Sequence, residues 1–200
     1  MLRLEDWKII FAAVGLVGVL VLASPVLSLV VRLPGGERFS ELYMLGPGRM
    51  AEDYPFNVQA GRDYLVYLGV VNHLGGAEYY SVVVKLRNAS EPLPNGTSVT
   101  PSPLLVLYRY SVFLVEGQSW EGALSFGFDG VVFGENVSLV GKVLVNDAAV
   151  PVDKVAAWDS VNSGYYYQLV VELWLYNATE RSFGYHNRFV SRWLNMTGSL

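Results

Sequence analysis

The run YLVYLGVV, Tyr64 to Val71, decides how the chain is read. Aromatic and β-branched residues recur there at period two, the spacing that sends alternate side chains to opposite faces of an extended strand. Turn chemistry bounds it on both sides, with Asn57 to Gly61 before it and Asn72 to Ala77 (NHLGGA) after it. Tyr79 to Leu86 (YYSVVVKL) repeats the pattern, and strand, Gly-rich turn and strand predict an antiparallel pair.

Working outward, Phe39 to Leu45 predicts a further strand, Gly46-Pro47-Gly48 a turn, and Ala51 to Pro55 a loop. Downstream, Asn88 to Pro103 reads as a surface loop and Leu104 to Val115 as a strand. Glu116-Gly117-Gln118 turns the chain, and Trp120 to Phe128 runs back. Val137 to Val145 is a strand, Asn146 to Gly164 a polar loop, and Tyr165 to Tyr176 (YYYQLVVELWLY) a strand again. In that last run Tyr167, Leu169, Val171, Leu173 and Leu175 share one face, and Gln168, Val170, Glu172, Trp174 and Tyr176 the other. Both faces are largely apolar, which predicts a central strand covered on both sides. Tyr185 to Met196 is read as a final strand. The order of elements predicts a mainly β fold, an immunoglobulin-like antiparallel β-sandwich with extra C-terminal strands. Such a fold sets an architecture and no activity.

The N-terminal region has a different character. Residues 9–32 hold 23 uncharged positions, Ile9 to Val31, closed by Arg32. At about 1.5 Å per residue, such a helix is long enough to cross a hydrocarbon core of about 30 Å. Its apolar residues cover the whole circumference, as lipid contact requires. A cleaved signal peptide is the rival reading; Glu5 and Asp6 offset Arg3 and Lys8 in the tail, and Pro25 spoils the small-residue site at Ala23-Ser24. The expected organisation is a tail at 1–8, a membrane helix at 9–32, a hinge at 33–38 and an extracytoplasmic β domain at 39–200.

Five N-x-[ST] sequons follow that helix, at Asn88, Asn95, Asn136, Asn177 and Asn195. Ten asparagines, with Ser and Thr making up about a tenth of the chain, would give about one by chance. The excess predicts N-glycosylation at these asparagines, and hence a single-pass protein of the cell membrane with its N terminus inside and its C-terminal domain outside. The net charge of −4 falls wholly after the tail, where lysines occur only at 85, 142 and 154. No basic cluster exists to bind nucleic acid. The absence of cysteine excludes disulfides, thiolate metal sites and cysteine nucleophiles.

The elements Phe39-Ser40-Glu41-Leu42-Tyr43, Leu45-Gly46-Pro47, Ala51-Glu52-Asp53-Tyr54-Pro55, Val71-Asn72-His73 and Tyr79-Tyr80 together resemble an archaeal family of membrane-anchored proteins with an exported β domain, a domain of unknown function. The resemblance is densest over Phe39 to Leu93, with an echo at Leu169 to Tyr176 and Trp193-Leu194-Asn195. It implies exported topology and an archaeal source, and brings no catalytic residues.

Candidate chemistry is sparse. His73 and His186 lie far apart, and His73 sits in a turn. Glu52, Asp53 and Asp63 match no calcium-loop spacing. Glu121, Asp129, Asp153, Asp159 and Glu172 show no readable acid–base pairing, and no G-x-S-x-G is present. No cofactor is expected. Aromatic residues, 14% of the chain, are the one enriched class, and they fill strand cores or form contact surfaces. The expectation is a module without catalysis, a structural or accessory subunit that meets a protein partner in a membrane or surface assembly. The alternative is a glycan-binding surface module that uses exposed Trp and Tyr.

Overall fold

The computed structural model describes residues 7–8, 10–19 and 37–198. The chain divides into two units, Met1–Arg38 and Phe39–Leu200. In the first, residues 10–19 are helical and every one of them is exposed; the Trp7 and Phe11 rings lie 6.2 Å apart. Among the described residues no helix is long and apolar enough to cross a membrane. Residues 1–6 of the expected tail, 9 and 20–32 of the expected anchor, and 33–36 of the hinge lie outside the described residues.

The second unit is β throughout. Its strands are β1 (Phe39–Leu45), β2 (Asn57–Gln59), β3 (Asp63–His73), β4 (Glu78–Asn88), β5 (Val106–Leu114), β6 (Ser119–Phe133), β7 (Val137–Val145), β8 (Ala148–Asp159), β9 (Gly164–Asn177) and β10 (Ser182–Thr197). They form one curled sheet. A first half runs β1-β3-β6-β7-β8 and a second runs β5-β4-β9-β10-β2; the two join where Trp158 and Asp159 of β8 pair with Tyr165 and Gly164 of β9. The described pairings are antiparallel except β2 with β10, which is parallel. The core lies between the halves. Val66, Leu68 and Val70 of β3 with Leu124 and Phe126 of β6 come from one side, and Val82, Val84, Leu169, Val171 and Leu173 from the other.

Two expectations are corrected. The first is the pair of β3 with β4. β3 lies between β1 and β6, and β4 between β5 and β9, so the turn at 72–77 carries the chain from one half to the other. Asn72 anchors that crossing: its Nδ2 donates to the Gly76 carbonyl (2.7 Å) and the Leu114 carbonyl (2.9 Å). Its Oδ1 accepts from the Leu74 amide and the Tyr80 hydroxyl. The same holds for β5 and β6, which turn at Gly117 (φ 75°) and then separate into opposite halves.

The second correction is the polar loop at Asn146 to Gly164, most of which is β8. Asn146 and Asp147 both take positive φ (44° and 67°), the geometry of a two-residue hairpin between Val145 and Ala148. Pro151 sits where the β7–β8 register slips. Proline is tolerated at such a bulge, and there it hides the strand from a reading by pattern.

The motif residues behind the resemblance build local structure. A Cβ at Gly46 would lie 1.9 Å from the Glu52 carbonyl oxygen, so the turn closes only on glycine. The Tyr54 hydroxyl donates to the Met44 carbonyl (2.7 Å), tying the following loop back to β1.

Candidate functional site

Strand period two gives the second half two faces, and the face away from the core holds the chemistry. In register across it stand Ser81, Val83, Lys85 and Arg87 of β4, beside Trp174, Glu172, Val170 and Gln168 of β9. The segment 89–105 covers its middle. Lys85 (3% exposed) and Glu172 (0%) form an ion pair there at 2.8 Å. The carboxylate also accepts from the Ser102 amide (2.9 Å), the Ser102 hydroxyl and the Trp174 indole (3.0 Å). Lys85 Nζ donates to the Ser102 carbonyl (2.7 Å) and contacts the Ser102 hydroxyl at 3.2 Å. Every charge in this pair is hydrogen-bonded, the condition under which a buried pair persists. It has no open side for a substrate.

The face is uncovered at its two ends. At one end, where Phe39 begins β1 opposite His73, an aromatic row crosses four adjacent strands. Phe113 of β5 pairs with Tyr79 of β4, and Tyr176 of β9 pairs with Phe183 of β10. The Tyr79 ring lies 6.1 Å from Tyr176 and 5.2 Å from Phe183. Phe113 is 64% exposed and Tyr79 38%. Behind this row Tyr185 Oη is buried without a hydrogen-bond partner. Burial first, then the Glu172 charge, push its phenol up to about 12.

At the other end Phe56, Tyr166 and Trp193 line an open cleft of about 470 Å³ together with Ala89, Asp159 and Asn162. The Tyr166 and Trp193 rings are perpendicular at 6.4 Å, and Phe56 lies 6.2 Å from Tyr166. Arg87 lies 5.4 Å over Trp193, and donates to the Gln168 side chain and to the carbonyls of Asn88 and Ala89. The Asp159 carboxyl is held below its ordinary range, chiefly by the Asn162 side chain and amide.

The remaining candidates fall elsewhere. His186 Nε2 lies 3.1 Å from Ser40 Oγ, which is 2.8 Å from the Tyr80 hydroxyl. This has the spacing of a base and a nucleophile. Ser40 is 2% exposed, however, and the chain of bonds ends in Asn72, so it ties β1 and β3 to β4 and β10. Burial, with Arg188 second, lowers the His186 pKa. His73 ends β3, 3.4 Å from Glu41 and with its ring centroid 4.8 Å from that of Phe39, tilted by 33°. Among the described residues no three His, Asp or Glu side chains gather as metal ligands, Glu52, Asp53 and Asp63 included. Glu121 meets Arg49 at 3.4 Å, and Asp129 accepts from the Gly130 amide.

The five sequon asparagines divide into two groups. Asn95, Asn136 and Asn177 are exposed and lie outside strand interiors. Asn95 and Asn177 use Oδ1 to accept from the amides of the residues that follow. Asn88 Nδ2 instead donates to the Val155 carbonyl (2.8 Å). Asn195 Nδ2 donates to Asn57, and its Oδ1 accepts from the Tyr165 amide, in a site where a Cβ on Gly164 would lie 2.3 Å from it.

The family model described as "Domain of unknown function (DUF1616)" matches residues 33–140, more than half of the chain. No curated protein matches. Among solved structures, a mutant β-glucosidase from Listeria innocua in complex with laminaribiose is similar at 10% identity and a TM-score of 0.44, over 82% of this chain and 16% of that one. The CARDB domain of the PF1109 protein from Pyrococcus furiosus, in complex with di-metal ions, is similar at 9% identity and a TM-score of 0.41, over 83% and 94%. The chain thus spans about a sixth of the β-glucosidase it matches. At these scores neither likeness says what the chain does.

Proposed function

The chain belongs to the family described as Domain of unknown function (DUF1616), and on that footing we propose that it is a membrane-anchored, exported module without catalysis that acts through protein contacts. It serves as a structural or accessory subunit of a membrane or surface assembly. In this reading 9–32 is a single-pass anchor with the N terminus inside, 33–38 is a hinge, and 39–200 is an immunoglobulin-like β-sandwich that carries N-linked glycans outside the cell. The apolar helix at 10–19, with every residue exposed, supports the anchor.

The observation that carries the reading is the row of Phe113, Tyr79, Tyr176 and Phe183 across four strands. Aromatic side chains bring large contact area for few rotatable bonds, and they are enriched at the centre of protein interfaces. Phe113 and Tyr79 are exposed and Tyr176 and Phe183 half-buried beside them, and such a contiguous aromatic group on one sheet face marks a contact surface more than isolated apolar residues do. The buried pair Lys85–Glu172 next to it fixes the strands that present the row.

Extraction of native membranes tests the anchor and the partner together. Detergent should release the chain with a stoichiometric protein partner, and carbonate should release nothing. Release by carbonate contradicts the anchor; a chain that elutes alone contradicts the contact role.

A further inference from the structure

We propose that the cleft between Phe56, Tyr166 and Trp193 is a binding site for neutral hexopyranose units of a glycan. A pyranose presents an apolar face of C–H groups and a rim of hydroxyls, and the cleft offers a surface for each. Trp193 and Tyr166 make two walls at right angles, and Phe56 makes a third. Phe56 is 44% exposed and Trp193 38%, so neither ring is used up in packing. The hydroxyl rim meets Asp159 and Asn162. Asp159 spends both lone pairs of Oδ1 on the amides of Val161 and Asn162 and one of Oδ2 on the Asn162 side chain, so Oδ2 keeps one acceptor site for a sugar hydroxyl. Asn162 Oδ1 is a further acceptor.

The site is held in place from below. Arg87 lies over Trp193 and is itself fixed by three hydrogen bonds, and the Tyr166 hydroxyl donates to the Asn162 carbonyl (2.8 Å). A volume of about 470 Å³ falls within the range of small-ligand sites. The Asp159 carboxylate in the lining disfavours an anionic ligand, and a neutral sugar uses both the aromatic walls, through its C–H face, and the polar rim, through its hydroxyls.

Calorimetric titration of the detergent-solubilised full chain with cellotetraose, maltotetraose and mannotetraose tests this. At least one should bind, with affinity reduced about tenfold or more in Trp193→Ala and about fivefold in Asp159→Asn, which retains the side-chain carbonyl that shapes the turn. Phe113→Ser, at the opposite end of the face, should bind as the parent does. No binding by any of the three sugars, or undiminished binding in Asp159→Asn, overturns the site. Neither result bears on the aromatic row, so the two readings fail separately.

Discussion

The two faces of β9 are alike in apolarity by sequence and unlike in what they do. On the inner face Tyr167, Leu169, Val171 and Leu173 meet the opposite half of the sheet, whose backbone is already paired within its own ladders. Little polar chemistry is needed there, and the Tyr167 hydroxyl alone on this strand reaches across, to Ser138. On the outer face Gln168, Val170 and Glu172 lie beneath the segment 89–105. A covering loop brings backbone groups with no ladder to join, and buried ones must still be paired. The Ser102 amide is taken by Glu172, its carbonyl by Lys85, and the Ala89 carbonyl by Arg87. The charged residues of this face are therefore explained by the loop that covers it, and where the loop ends Phe113 and Tyr79 on one side, and Phe56 and Trp193 on the other, are exposed.

The largest effect should come from breaking that arrangement. Lys85→Met leaves the Glu172 carboxylate and the Ser102 carbonyl without their cation, and should cost about 3–5 kcal/mol in denaturant unfolding. Leu173→Ala, on the inner face, should cost a comparable ~2–5 kcal/mol by opening a cavity. The faces then differ in rescue. Adding Glu172→Leu to Lys85→Met should recover only part of the loss, because Ser102 still lacks both backbone partners. Full recovery would show that the loop does not require the pair.

A smaller effect belongs to the inner-face His186. Its pKa lies below the ordinary 6.5 because burial and Arg188 disfavour the charged ring. The unfolded chain therefore takes up the proton first as pH falls, and stability present above about pH 6.5 declines below it, down through the folded pKa. His186→Gln should flatten this part of the stability profile; an unchanged slope would place the dependence on other groups.

The smallest effect on the fold concerns its rim. Glycans should occupy Asn95, Asn136 or Asn177 and be missing from Asn88 and Asn195, whose Nδ2 groups hold Val155 and Asn57. Glycopeptide mass spectrometry of native material reads this directly, and a modified Asn195 would mean that the β2–β10 junction opens.

Much of this was legible in the sequence where a single strand determines its own surroundings. YYYQLVVELWLY is apolar at both parities, and β9 is indeed covered on both sides. What depended on distant segments was not. Lys85 in SVVVKL and Glu172 in LVVELW are each a lone charge inside a buried strand, and no pairing was read from them in the sequence because the partners are 87 residues apart. The crossing at 72–77 looks like a hairpin because Gly75 and Gly76 supply turn chemistry whichever half the next strand joins. The cleft draws on Phe56, on Asp159 and Tyr166 either side of the β8–β9 turn, and on Trp193, three separate segments, and enrichment in aromatic residues was its only sequence signal.

On the proposed reading, the exposed end of the outer face meets a protein. Quantified partner capture from solubilised native membranes tests it most directly, with the parent chain compared with a Tyr79→Ser/Phe113→Ser variant. The parent should capture a stoichiometric partner and the variant at least tenfold less, with thermal unfolding little changed because both side chains are exposed. Equal capture by the two chains would contradict it.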